Sequence, residues 1–234
     1  MRYFNYLLSL ASLFIVVSCV SGGSVESGLV SLQIPDNTLS PGKIIPENNQ
    51  VSNIVPIHTL DSLDGHIRVA KSWKLSMEQI DGFKNKLIDN VSHIYVRANP
   101  DIDDPDDIEV ILDIVKTKTK FIQKSDLYSL VRRELMENVD LSEMLYYSLE
   151  SNGSRYSVIN SILIGSVQLT IKNDDGERIP LSDQDIEVLN SQLNLNLGRR
   201  YAEKNSYISK SDVVFAFGKD GEIVELILEK AILK

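Results

Sequence analysis

The sequence offers few residues whose type and spacing could carry out catalysis. Its 234 residues include one cysteine, Cys19, and three histidines in separate segments, His58, His66 and His93. The nucleophile pattern Gly-x-Ser-x-Gly, the zinc pattern His-Glu-x-x-His and the glycine-rich phosphate and dinucleotide patterns do not occur. The sequence therefore predicts no catalytic residue and no cofactor.

Carboxylates are most concentrated shortly after Asn99, where five aspartates could offer oxygen ligands to Ca²⁺. They are Asp101, Asp103, Asp104, Asp106 and Asp107. An EF-hand loop starting at Asp101 would need Gly at its sixth position and Glu at its twelfth, where the chain has Asp106 and Leu112. The EF-hand pattern fails, so we favour a solvated loop and keep some other calcium site as the alternative.

A lysine series follows the acidic cluster at Lys116, Lys118, Lys120 and Lys124. In a β-strand, alternate residues point to one face, so this spacing would align these ammonium groups on one face. Such a row could contact an anionic polymer such as a glycan or a teichoic-type phosphate. The alternative is a charged edge strand, since lysines at a sheet edge discourage edge-to-edge aggregation.

The N-terminus has the pattern of a secretory signal. Residues 1–18 carry one charge, Arg2, followed by an apolar run from Leu7 to Val17 that only Ser9 and Ser12 interrupt. This run is too short for a transmembrane helix and is typical of a signal peptide.

The end of this signal, Val16-Val17-Ser18-Cys19, resembles the lipobox of bacterial lipoproteins. The resemblance covers residues 1–19 only, and the rest of the chain is not identified. It implies cleavage between Ser18 and Cys19, a diacylglycerol on the thiol of Cys19 and an acyl group, such as palmitate, on the new amino group. It further implies a membrane-anchored protein of the bacterial cell envelope, with the outer membrane or the cell surface favoured.

The composition after the signal is that of an ordinary globular protein. The chain has 24 Lys and Arg against 33 Asp and Glu, a net charge of −9, and 43% hydrophobic residues. The excess of negative charge argues against nucleic acid as a partner. A lipid-modified Cys19 would leave no thiol for a disulfide, so packing must provide the stability.

Residues 19–60 contain four of the seven prolines and no sustained periodicity. We interpret them as a tether, partly disordered and partly lying along the folded body, with an r.m.s. reach of roughly 35 Å. The globular domain is assigned to residues 61–234.

Hydrophobic periodicity and capping residues predict the elements of this domain. Helices are predicted from Ser76 to about Val91, after Ser125, from Asp140 to Gly153, and from Ser182 to about Lys204. Strands are predicted at 93–98, 156–172, 177–181, 213–217 and 223–228. For 105–116 a helix capped by Asp104 competes with a strand, and we favour the strand, with the acidic segment as a hairpin loop. The predicted fold is a single α+β domain with a largely antiparallel sheet covered by three or four helices.

These patterns favour a non-catalytic function. We expect an envelope lipoprotein that binds or scaffolds another envelope component, either a protein or a polymer. The alternative is a hydrolase of an envelope polymer whose Asp and Glu side chains converge only in the folded protein.

Overall fold

The computed structural model of the chain describes residues 29–47, 54–71, 77–102, 104–201 and 206–232. Ten strands among these residues form one sheet: β1 (Leu29–Ser31), β2 (Lys43–Pro46), β3 (His58–Thr59), β4 (Arg68–Lys71), β5 (Ile108–Phe121), β6 (Tyr156–Asn173), β7 (Arg178–Ile179), β8 (Leu197–Tyr201), β9 (Ser206–Ser209) and β10 (Val213–Asp220). The described helices are α1 (Met77–Ala98), α2 (Lys124–Glu137), α3 (Val139–Asn152), α4 (Asp183–Leu193) and α5 (Glu222–Ile232). The predicted α+β class with an antiparallel sheet is confirmed, because every strand pair is antiparallel.

The 18-residue strand β6 organises the sheet. Along one edge it pairs with β2 and then with β5, and along the other edge it pairs with β10, β9 and β7 in succession. Its apolar run Ile162-Leu163-Ile164 is buried throughout, as in a strand covered on both faces. The segment expected at 156–172 is therefore a central strand.

Five strands lie side by side in the order β1, β10, β6, β5, β4. One row of opposite residues crosses all five strands: Val30, Phe217, Ile162, Lys120 and Val69. This register places β1 and β4 at the two edges of the same five-stranded section.

Apolar side chains form two buried clusters. One joins α1 and α4 to the sheet, and the other joins α2, α3 and α5 to it. Ile44 and Ile45 are neighbours in β2 but belong to different clusters, and so do Val158 and Ile159 in β6. Since successive strand residues point to opposite faces, helices cover both faces at this end of the sheet.

Residues 29–47 and 54–60, which sequence analysis placed in the tether, contribute β1, β2 and β3. Leu32, Leu39 and Ile44 are at most 2% exposed, so this segment supplies core side chains as well as strands. The boundary drawn at residue 61 therefore lies inside the folded body. The strands have two to four residues, which is too short for an alternating pattern to stand out in the sequence.

Helix α1 continues to Ala98, so the strand predicted at 93–98 is wrong. The apolar stripe of Phe83, Leu87 and Val91 extends by another four residues to Tyr95, which is 3% exposed. Burial of this stripe outweighs the β-propensity of the Ile94-Tyr95-Val96 segment.

Helix α4 ends at Leu193, so the prediction that it runs to about Lys204 is wrong. Ser182 caps it as expected, with Asp185 completing a capping box. Asn194 and Asn196 then adopt positive φ values of 51° and 50°, which ends the helix. Leu197 continues the four-residue leucine spacing but begins β8, which forms an unpredicted hairpin with β9.

The C-terminal segment is a strand followed by a helix, so the strand predicted at 223–228 is wrong. The Asp220 carboxylate accepts a hydrogen bond from the Ile223 amide at 3.2 Å and so caps α5. The buried residues are Ile223, Val224, Ile227 and Leu228, a helical spacing. A short apolar run fits the period of a helix and the period of a strand equally well, so the apparent alternation was misleading here.

Candidate binding surface

Lys116, Lys118 and Lys120 lie on a strand, as expected, but that strand is not at the edge of the sheet at this point. Lys124 is instead the first residue of α2. β5 spans Ile108–Phe121, and β4 pairs with its last four residues. Directly opposite pairs are Lys71 with Lys118 and Val69 with Lys120. Because opposite residues of an antiparallel pair share a face, these four side chains lie on one face of the β4–β5 ribbon. We call Val69, Lys71, Lys118 and Lys120 the basic face.

Lys116 is separated from the basic face by a bulge. The β5–β6 register shifts between Val115 and Lys118, and Lys116 has a φ of 57°. The shift lies opposite Gly165. A Cβ at Gly165 would lie 2.8 Å from Ile114 Cγ2 and 3.2 Å from the Val115 carbonyl oxygen, so only glycine fits beneath the bulge. The alternate spacing of the lysines therefore does not place Lys116 in line with Lys118 and Lys120.

Some of the cations on and around the ribbon form ion pairs with carboxylates, and others do not. Lys118 Nζ lies 3.7 Å from the Asp212 carboxylate. Lys124, at the start of α2, has its Nζ 3.3 Å from the Asp220 carboxylate. Arg68, on the other face of β4, lies 4.0 Å from Asp126. Among the residues that the structure describes, Lys71 and Lys120 have no carboxylate within ion-pair distance.

The basic face is exposed except at Lys120, which is partly buried, and it carries a charge arrangement that does not favour folding. Every residue of β4 is exposed, including Val69 at 61%. The opposite ammonium groups of Lys71 and Lys118 repel one another, at a cost of about 0.2–1 kcal/mol. An anion bound between them would remove this repulsion. Grouped ammonium groups of this kind are suited to contact an anion.

The acidic cluster performs local capping. Asp104 accepts a hydrogen bond from the Asp106 amide at 3.0 Å, and the Asp107 carboxylate accepts one from the Asp104 amide at 3.0 Å. These bonds start a short 3₁₀ turn, Pro105–Asp107, that joins α1 to β5. The segment is thus a helix-to-strand connection and not the hairpin loop that was predicted.

No metal site is apparent in the described part of the chain. Asp101, Asp104, Asp106 and Asp107 belong to that part, whereas Asp103 lies outside it. Within it, no group of three or more His, Cys, Asp or Glu side chains is placed to hold a metal ion.

A second polar cluster joins β3 to α2. Glu134 is only 8% exposed, and its carboxylate lies 2.8 Å from His58 Nε2 and accepts a hydrogen bond from the Asp61 amide at 3.2 Å. A shallow depression beside it is lined by Asp61, Glu134, Glu137, Asn138, Val139 and Asp140. These grouped carboxylates are the feature of the described chain that is relevant to the alternative function, a hydrolase that uses Asp and Glu side chains.

Cys19 and Ser18, the residues of the expected lipid attachment and signal cleavage, lie outside the described residues. No helix of the described chain is long and apolar enough to cross a membrane. Lys71 and Val69 were missed in the sequence, because β4 is short and its pairing with β5 joins residues nearly fifty positions apart. The sequence signal that could have indicated this strand is Arg68-Val69-Ala70-Lys71, in which charged and apolar residues lie side by side.

Comparison with protein-family models and with curated proteins finds no match. Among solved structures, the chain is similar to that of a bacterial gasdermin from Bradyrhizobium tropiciagri, with 13% sequence identity and a TM-score of 0.40. The match covers 82% of this chain and 81% of that chain. A similarity at this level carries no information about function.

Proposed function

We propose that this chain is a lipid-anchored, non-catalytic binding protein of the bacterial cell envelope. Cys19 provides the anchor, and the basic face binds an anionic component of the envelope. The observation that supports the binding role is the grouping of Lys71, Lys118 and Lys120 on one exposed face of a chain whose net charge is −9.

The stability of the domain does not account for this grouping. Lysines on an edge strand reduce aggregation, which is a sufficient reason for Lys71 on β4. Lys118 and Lys120 lie one strand further in, where β4 already covers the edge. A function outside folding is therefore the simpler explanation for these two side chains.

Sedimentation with purified envelopes tests the binding role. The mature chain, residues 19–234, carries Cys19→Ala so that no lipid is attached. We expect it to sediment with the envelopes at low salt and to be released as salt rises, because exposed charges are screened. The triple variant Lys71→Gln, Lys118→Gln, Lys120→Gln should lose most of this binding.

A matched control separates the basic face from net charge alone. Lys86→Gln, Arg132→Gln and Lys230→Gln together remove the same charge from exposed positions outside the ribbon. This control should sediment like the parent. Equal sedimentation of the basic-face variant and the parent would contradict the proposed binding role.

The anchor is tested separately by labelling cells with a fatty acid. The parent should take up the label and stay with membranes that are washed at high salt. Cys19→Ala should take up no label and be released by the wash, because only the salt-sensitive contact of the basic face would then hold it. A Cys19→Ala variant that still takes up the label would show that the lipobox interpretation is wrong.

The alternative function is hydrolysis of an envelope polymer, and the depression lined by Asp61, Glu134, Glu137 and Asp140 is the observation in its favour. Glu137 and Asp140 are exposed, and neither carboxylate accepts a hydrogen bond from the part of the chain that the structure describes. Release of soluble sugar from envelope polysaccharide by the parent, and its loss in Glu137→Gln with Asp140→Asn, would favour the enzyme over the binding protein.

A further inference from the structure

We propose that the basic face binds the phosphate groups of phospholipid headgroups, in the same bilayer leaflet that holds the acylated Cys19. This inference rests on the proposed function and specifies the anionic component. It follows from the length of chain between the anchor and the sheet, the position of the ribbon in the sheet and the charge of the basic face.

The chain between the anchor and the folded body is short. Since β1 begins at Leu29, only the nine residues 20–28 separate it from Cys19. A fully extended chain spans at most 3.3–3.6 Å per residue, so Cys19 and Leu29 are at most about 36 Å apart. A tether running to residue 60 would have allowed several times this maximum. The sheet edge at β1 must therefore stay near the headgroups.

The basic face is close to the point where the anchor joins. β1 and β4 are the outer strands of the five-stranded section, in direct register through Phe217, Ile162 and Lys120. Four strand spacings of about 4.8 Å place them roughly 19 Å apart. The anchor and the basic face can therefore meet one membrane plane at the same time without unfolding any strand.

The distribution of charge favours one orientation at this plane. Lys71 and Lys120 have no ion pair in the described chain, and Lys118 has a distant one, whereas the protein as a whole is acidic. An anionic surface therefore attracts the basic face and repels much of the remainder. Val69, 61% exposed and on the same face as these lysines, adds an apolar side chain that can enter the headgroup layer.

Vesicle sedimentation tests this inference. The mature chain with Cys19→Ala is mixed with phosphatidylcholine vesicles that contain or lack phosphatidylglycerol, at low and at physiological salt. We expect at least tenfold stronger binding to the anionic vesicles, and at least tenfold weaker binding of the Lys71→Gln, Lys118→Gln, Lys120→Gln variant. The Lys86→Gln, Arg132→Gln, Lys230→Gln control should bind like the parent.

Two further measurements keep the test specific. The melting temperature of the basic-face variant should stay close to that of the parent, because loss of the Lys71–Lys118 repulsion offsets loss of the Lys118–Asp212 ion pair. An unchanged melting temperature shows that lost binding is not lost folding. A soluble glycerol-phosphate polymer is the competing ligand. If the chain binds this polymer or the purified envelopes through the basic face but not the anionic vesicles, the headgroup inference is wrong and the proposed function stands. If it binds neither envelopes nor vesicles, both are wrong.

Discussion

Phe215 lies where the C-terminal strand meets helix α1. Its side chain is 1% exposed, and its ring centroid is 5.4 Å from that of Phe83, which is fully buried. The two rings connect β10 directly to the longest helix. Phe215 lies in the strand predicted at 213–217, but the sequence could not identify the ring that it contacts.

Phe215→Ala should lower the free energy of unfolding by roughly 3–5 kcal/mol, because it removes a buried ring and leaves a cavity. Urea denaturation measures this loss. Tyr147→Ala is the matched control: Tyr147 is 75% exposed, so its removal should change stability by less than about 0.5 kcal/mol. Similar losses in both variants would show that the Phe215 site is not tightly packed.

Glu47 gives the domain a pH-dependent contribution. The Ser157 hydroxyl donates a hydrogen bond to its carboxylate, which lowers the pKa of Glu47 below its usual value of 4.5, and Lys219 lowers it further. A carboxyl group whose pKa is lower in the folded protein stabilises the fold above its unfolded pKa. This contribution is lost as the pH falls through the folded pKa.

Glu47→Gln should therefore flatten the acid side of the stability profile. Denaturation from neutral pH to about pH 3 should show a smaller fall in the free energy of unfolding for the variant than for the parent. The two proteins should approach each other at the acid end. Parallel profiles over the whole range would mean that Glu47 ionisation is not linked to folding.

At the scale of elements, local chemistry was easier to predict than strand pairing. Ser182 and Gly153 mark a helix start and a helix end through bonds within a few residues, and both act as expected. The turn before Gly176 is also local, with its amide bonded to the Asn173 carbonyl at 2.9 Å. Such signals can be recognised in the sequence because the interacting residues are only a few positions apart.

The missed elements depend on distant partners. β4 is a strand because β5 lies beside it, and β8 is a strand because β9 does, whereas Leu197 alone fits the end of a helix equally well. The lysine series was predicted from the spacing within one strand, so the pairing of Lys118 with Lys71 on another strand could not be predicted from it. The binding surface thus required the register, which no window of the sequence contains.

Helix α5 should be indispensable for folding. It buries Ile223, Val224, Ile227 and Leu228, each at most 3% exposed. Four such side chains account for roughly 6–12 kcal/mol, which is similar to the total stability of about 5–15 kcal/mol of a typical domain. A chain that ends at Asp220 should therefore be unfolded or aggregated by circular dichroism and gel filtration.

A chain that ends at Ile232 is the control for this truncation, since it keeps all four buried side chains. It should melt like the parent. Cooperative melting of the Asp220-terminated chain near the parent temperature would identify α5 as an appendage, and its apolar face as a surface open to other contacts.

At the scale of the whole molecule, the short connection to Cys19 and the basic face at the other side of the five-stranded section act together. The acyl chains proposed on Cys19 would hold the protein at the membrane, and a basic patch would add electrostatic attraction to anionic lipid. Together they would fix both the distance and the orientation of the body at the membrane. The acidic remainder would then face away from the bilayer, where it can meet other components of the envelope.

Headgroup proximity of a probe on the basic face tests this account most directly. Cys19 is the one cysteine of the chain, and the proposed lipid would block its thiol, so a Val69→Cys variant could be labelled at one site with a fluorophore. Val69 shares the basic face but carries no charge, and Lys86→Cys on α1 is the matched exposed position. In vesicles that contain phosphatidylglycerol and a headgroup quencher, we predict strong quenching at position 69 and little at position 86. Equal quenching at the two positions would contradict the account.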